Sequence, residues 1–236
     1  RRHCKVDFRN NVVYNWLINN SYDGASSYMN WVNNYLKAGP ATKDDVKHQI
    51  FELFDQYDGP LDLAEDRDHE TSLYADGNFV VGSPKVSADN WSGGIRFKAG
   101  ANEKDHRALE PHDFPVLASE TTAEEAYGRV LAGAGASLVR DSVDTRIIEE
   151  VRNGTATFGD GIIDSQAEVG GFPALQSLPP PTDTDRDGMP DDWEAARGLD
   201  PLKASDGNAT NLSGTYYTNL EVYLNGLVGD NASSKG

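Results

Sequence analysis

The chain has 236 residues, 38% of them hydrophobic, and a formal net charge of −17, enough apolar content to bury a core in one large domain or two small ones. So acidic a surface excludes nucleic acid as a partner, because binding phosphates takes a basic stripe and the release of counterions. No run nears the roughly eighteen consecutive apolar residues of a membrane helix, and no basic, apolar leader opens the sequence, so no membrane association is expected.

Arg1-Arg2-His3-Cys4 runs straight into strand-like sequence without an initiator methionine, as expected of a piece of a longer precursor. Cys4 is the single cysteine and has no disulfide partner within the chain. Asn-x-Ser/Thr sequons at Asn19, Asn90, Asn153, Asn208, Asn211 and Asn231 suit a secreted glycoprotein, although chains rich in asparagine also produce them by chance.

The first segment repeats. Val6-Asp7-Phe8-Arg9-Asn10-Asn11-Val12-Val13-Tyr14 is echoed by Tyr28-Met29-Asn30-Trp31-Val32-Asn33-Asn34-Tyr35-Leu36, with the Asn-Asn pairs 23 positions apart. A period in the low twenties, with β-branched and aromatic residues around polar turns, predicts stacked strands of a parallel β-helix. Ser72–Val81 makes a third rung, its Asn78 lying 44 positions after Asn34. Asparagine fits such a corner because it tolerates a left-handed backbone and its amide can bond the amides of the rungs above and below. The simpler alternative is that the Asn-Asn pairs are hairpin turns.

Between these rungs the sequence predicts a short helix over Val46 to Phe54. An acidic stretch with Asp55, Asp58, Asp62, Glu65, Asp66 and Asp68 follows, a solvated loop or a poorly spaced metal site. Beyond Pro115 the punctuation turns helical. Thr122-Ala123-Glu124-Glu125 is a capping box opening a helix through Leu131, and Asp144 caps a second that stops at Asn153-Gly154. Pro179-Pro180-Pro181 makes a stiff connection. The expected segments are thus 1–118 in rungs, 119–178 packed on them, and 179–236 with a closing helix from Asn219 to Leu227 behind the capping box of Thr218 and Glu221.

Residues 183–194 carry the sharpest motif. Asp183, Asp185 and Asp187 alternate, Gly188 allows the turn, Met189 offers its carbonyl, Asp191 is ninth and Glu194 twelfth, which fills the EF-hand template for Ca²⁺. A hard cation takes six to eight oxygens, and without it so many carboxylates repel, so metal is expected to order the segment. The prolines forbid a helix before the loop, and the helix after it is short, Asp191 to Arg197 ended by Gly198. A stabilising clamp is expected rather than a paired sensor hand. Asp206 and Asn208 are the nearest residues to hold a second ion or to complete the shell of the first.

Together these pieces resemble the secreted polysaccharide lyases of the pectate lyase type. The resemblance rests on Val6 to Trp16, Val32 to Thr42, Val86 to Trp91, Asp160-Gly161-Ile162-Ile163-Asp164, and the stretch from Asp183 to Leu227. It covers nearly the whole chain and corresponds to the C-terminal half or so of such an enzyme. It implies a mainly β protein, a right-handed parallel β-helix with short C-terminal helices and a calcium loop. It implies a secreted monomer acting on pectin or polygalacturonate of the plant cell wall, where calcium bridges uronate to protein carboxylates and an arginine removes the C5 proton for β-elimination. The family's proline-flanked arginine motif belongs just before the first Asn-Asn rung, so no catalytic residue is assigned within this chain. Arg2 is the best match to the last arginine of that motif, with Arg1 the alternative, and Lys37 either contacts a substrate carboxylate or is solvated.

Overall fold

The computed structural model describes residues 4–22, 24, 27–54, 71–98, 100–115, 120–214 and 216–228. Arg1, Arg2, the acidic stretch from Asp55 to Asp68 and the sequon at Asn231 lie outside them. The chain divides into two compact units, Arg1–Pro173 and Ala174–Gly236.

In the first unit the repeated segments form strands. Cys4–Arg9 (β1) and Val12–Tyr14 (β2) are followed by Ser27–Val32 (β3) and Tyr35–Lys37 (β4). β1 pairs with β3 in parallel with Val6 opposite Met29, and β2 with β4 with Val12 opposite Tyr35. Both registers equal the spacing of the sequence repeat. Phe51–Phe54 (β5) follows, and then the third rung, Ser72–Asp76 (β6) beside β3 and Phe79–Val80 (β7) beside β4. Ile95–Lys98 (β8) pairs in parallel with β5, and a single parallel bridge from Tyr22 to Glu52 extends that pair. The chain therefore visits three parallel sheets in the same order on successive circuits. Parallel neighbours need a long crossover, so the Asn-Asn pairs are not hairpin turns.

Each corner between the first two sheets needs one residue with a left-handed backbone. Asn10 (φ 53°) and Asn33 (φ 54°) supply it, and Gly77 (φ 65°) takes the same place on the third rung. The following asparagines are linked through their side chains. Asn11 Nδ2 donates to Asn34 Oδ1 (3.0 Å), Asn34 Nδ2 to Asn78 Oδ1 (2.8 Å), and Asn78 Nδ2 to Asn90 Oδ1 (2.8 Å). Each of these oxygens also accepts from the backbone N–H of the preceding asparagine, at 3.0 Å. Asn34, Asn78 and Asn90 are buried, where unmet amides are costly. The sequon at Asn90 is therefore inside the fold, its side chain fully engaged.

Inside the circuits lie Met29, Trp31, Leu36, Ile50, Phe51, Leu53, Leu73 and Val80, all buried. Each large apolar side chain here contributes about 1.5–3 kcal/mol. Trp31 stacks on Phe8 at 4.6 Å and meets Phe51 edge-on at 5.0 Å.

The expected helix over Val46 to Phe54 is not formed. Asp44–Val46 is a single 3₁₀ turn and Phe51–Phe54 is strand β5. Phe51 and Leu53 sit opposite Ile95 and Phe97, so alternation by two overrides the helical spacing of Val46, Ile50 and Phe54.

The remaining helices of the first unit are Pro84–Ala88 (α1), Glu103–His106 (α2), Ala123–Gly133 (α3) and Ser142–Asn153 (α4). The capping box of Thr122 and Glu125 is formed. The cap of α4 is Asp141 rather than Asp144, since its Oδ1 accepts from Val143 N and Asp144 N, while Asp144 Oδ2 accepts from Ala136 N. Tyr127 of α3 stacks on Tyr35 of β4 at 4.3 Å, and the Tyr14 hydroxyl donates to Thr155 O at 2.7 Å, so both helical segments are held against the strands.

The second unit contains Asp191–Ala195 (α5), a 3₁₀ turn at Ala204–Asp206 and Asn219–Leu227 (α6), the last opened by the capping box of Thr218 and Glu221. Trp193 meets Tyr223 edge-on at 5.1 Å and joins α5 to α6. With six helices among its described residues the chain is mixed rather than mainly β. None of its described helices is long and apolar enough to cross a membrane.

Candidate metal centre

The loop at 183–188 is folded by its own carboxylates. Asp185 Oδ1 accepts from Asp187 N (3.2 Å) and Asp187 Oδ1 from Met189 N (2.9 Å), turns that aspartate favours because its side chain mimics a backbone acceptor. Asp183 Oδ1 and Oδ2 accept from Arg186 N (2.7 Å) and Gly188 N (3.0 Å). Arg186 (φ 65°) and Gly188 (φ 97°) both lie in the left-handed region, which curls the segment around its aspartates.

These turns leave one oxygen each on Asp185 and Asp187 buried and without a partner. Glu194, delivered by α5, is 0% exposed, and neither of its carboxylate oxygens has a hydrogen-bond partner. Asp183, Asp185 and Asp187 offer oxygens within 4.8 Å of one another, and so do Asp187, Glu194 and Asp206. Burial, followed by repulsion from Asp187, Asp185, Asp206 and Asp191, pushes the Glu194 carboxyl up to about 7. Asp187 is raised by burial and then by Asp185, Asp183 and Asp206.

A buried carboxylate in the first unit shows what balance looks like. Glu52, also 0% exposed, lies 3.0 Å from Lys98 Nζ and 3.3 Å from Arg96 Nε and accepts from Asn19 Nδ2 at 3.1 Å. Glu194 has no ion pair of this kind among the described residues, and its neighbours are anions. A buried, unpaired carboxylate among others costs several kcal/mol unless a cation joins it. The donor set of hard oxygens fits calcium.

The sequence-derived ligand set is brought together in part. Asp183, Asp185, Asp187 and Glu194 converge, and Met189 is fully buried beside them in the chain. Asp191 is engaged elsewhere, its Oδ1 accepting from Thr184 N and its Oδ2 from Thr184 Oγ1, both at 2.7 Å. Asp206, one of the two residues the sequence offered outside the twelve-residue template, enters the cluster beside Asp187 and Glu194. Lys37 is half-buried against the first unit's helices. Its ammonium donates to Val151 O and Arg152 O at 2.8 Å each, capping the end of α4.

No family model matches the chain. Relatives of known name do. These matches show that the chain belongs to the pectate lyase family. It is 35% identical over 229 residues to a protein of Aspergillus terreus named probable pectate lyase C, a match over 94% of this chain. Proteins of the same name from Aspergillus flavus and Emericella nidulans are 34% and 33% identical over 231 residues. The chain spans about half the length of these relatives, 48% of the first.

Proposed function

We propose that this chain is the C-terminal portion of a secreted, calcium-dependent pectate or pectin lyase that cleaves polygalacturonate by β-elimination. The observation that carries the reading is the match of nearly the whole chain to proteins named pectate lyase. A right-handed parallel β-helix is the fold this reading gives, and the three parallel sheets visited in repeated order support it. The reaction has two requirements, neutralising the uronate carboxylate and removing the C5 proton as the C4–O bond breaks. No residue of this chain is assigned the base. The chain supplies the parallel-stranded unit and, separately, the acidic unit Ala174–Gly236.

In this reading Ca²⁺ is held by Asp183, Asp185, Asp187, the Met189 carbonyl and Glu194, and its role is to fold the second unit. The orphaned oxygens of Glu194 support a resident ion, and the short α5 supports a clamp over an opening sensor.

The test uses the longer protein that contains this chain, with polygalacturonate or methylated pectin and calcium. Release of ultraviolet-absorbing unsaturated uronides is expected. Substrate retention on a pectate gel without such release would replace the lyase by a non-catalytic polysaccharide-binding module.

A further inference from the structure

Resting on the reading that the second unit binds calcium, we infer that the ion is shared between the loop and Asp206, which takes the place that Asp191 holds in the sequence template. Asp191 is turned onto Thr184 and joins neither converging group. Asp206 behaves like the loop aspartates. Its Oδ2 accepts from Asp200 N at 3.0 Å, its Oδ1 is buried without a partner, and its carboxylate offers an oxygen within 4.8 Å of oxygens on Asp187 and Glu194.

The backbone is shaped for this approach. A Cβ at Gly207 would lie 2.6 Å from Asp187 Oδ2, so the chain comes this close to the cluster only with glycine there. The segment is also fixed from behind. Asn219, fully buried at the start of α6, donates from Nδ2 to Asp206 O at 2.9 Å, and Leu220 N donates to Gly207 O at 3.1 Å.

The two converging groups share Asp187, and an ion held by both, with one oxygen each from Asp183, Asp185, Asp187 and Asp206, both from Glu194 and the Met189 carbonyl, has seven, within calcium's usual six to eight and without Asp191. The ion then fastens the loop to the 200–219 segment and to α6. It is the folding centre of the unit, not the ligand of an isolated hand.

The 236-residue chain is titrated with Ca²⁺ calorimetrically, and Eu³⁺ luminescence decay in H₂O and D₂O counts the waters on the bound ion. Asp206→Asn is expected to weaken Ca²⁺ binding about tenfold or more and to add about one water, whereas Asp191→Asn changes affinity by less than about threefold and the water count not at all. Gly207→Ala, which keeps the carboxylate but displaces it, is expected to weaken binding as well. Unchanged affinity and hydration in Asp206→Asn, or a larger loss in Asp191→Asn, would overturn the assignment while leaving the calcium reading standing. A wild-type chain that takes up no Ca²⁺ at millimolar concentration would remove the calcium reading itself.

Discussion

Calcium uptake by the second unit should release protons in a pH-dependent amount set by Glu194. Its carboxyl, raised to about 7, is roughly nine-tenths protonated at pH 6, half at pH 7 and a tenth at pH 8. The ion takes only the carboxylate, so these fractions are the protons Glu194 gives up per ion bound, with Asp187 adding to the release at the acidic end. Below pH 7 the apparent affinity should fall up to about tenfold per pH unit for each proton displaced. Without metal the sign reverses. The folded state holds this proton more tightly than the unfolded chain, so the stabilisation is full below the ordinary 4.5 and is lost as pH rises through about 7. Calorimetric titration in paired buffers of different ionisation enthalpy reads the proton count. Equal release at pH 6 and pH 8, or a wild-type release retained in Glu194→Gln, would refute the reasoning.

Asn34→Ala strands Asn11 N and Phe8 O and takes one partner each from Asn11 Nδ2 and Asn78 Oδ1, a loss of about 3–5 kcal/mol that urea denaturation followed by tryptophan fluorescence would measure. Lys37→Met leaves the Val151 and Arg152 carbonyls without their ammonium and should cost about 1–2 kcal/mol, seen as faster amide exchange in α4. In a glycosylating host Asn90 should remain unmodified by mass spectrometry of its peptide even where exposed Asn153 or Asn208 carries glycan, because its side chain is buried in the amide chain.

The register of the strands could be read in the sequence because the amide chain needs one asparagine per circuit, and a 23-residue spacing is visible whatever lies between. Capping boxes at Thr122 and Thr218 were equally legible, since their bonds span only three residues. Strand β5 was hidden because an apolar run with Val46, Ile50, Phe51 and Phe54 satisfies a helical period as well, and only its pairing with β8 decides. The acidic loop's aspartates follow from local turn geometry. The choice of Asp206 over Asn208 and the engagement of Asp191 do not, because the first depends on how the 200–219 segment is held by α6 and the second on the Thr184 N–H and hydroxyl both meeting the Asp191 carboxylate. Lys37 likewise gave no sign of a partner 114 residues away.

The amide chain also has an end. Asn90 receives from Asn78 through its oxygen and then turns its own amide back onto Asn78 O and Val86 O, at 2.8 and 2.9 Å. Nothing is left to offer a further storey. A stack of parallel strands is by nature a template on which another copy could continue, and the last asparagine, standing in the turn after α1 instead of beside a strand, consumes its own donors, while the third rung's β6 is met by a single parallel bridge from Leu73 to Arg107. The ladder of amides is thereby closed at this side by the same residue type that builds it.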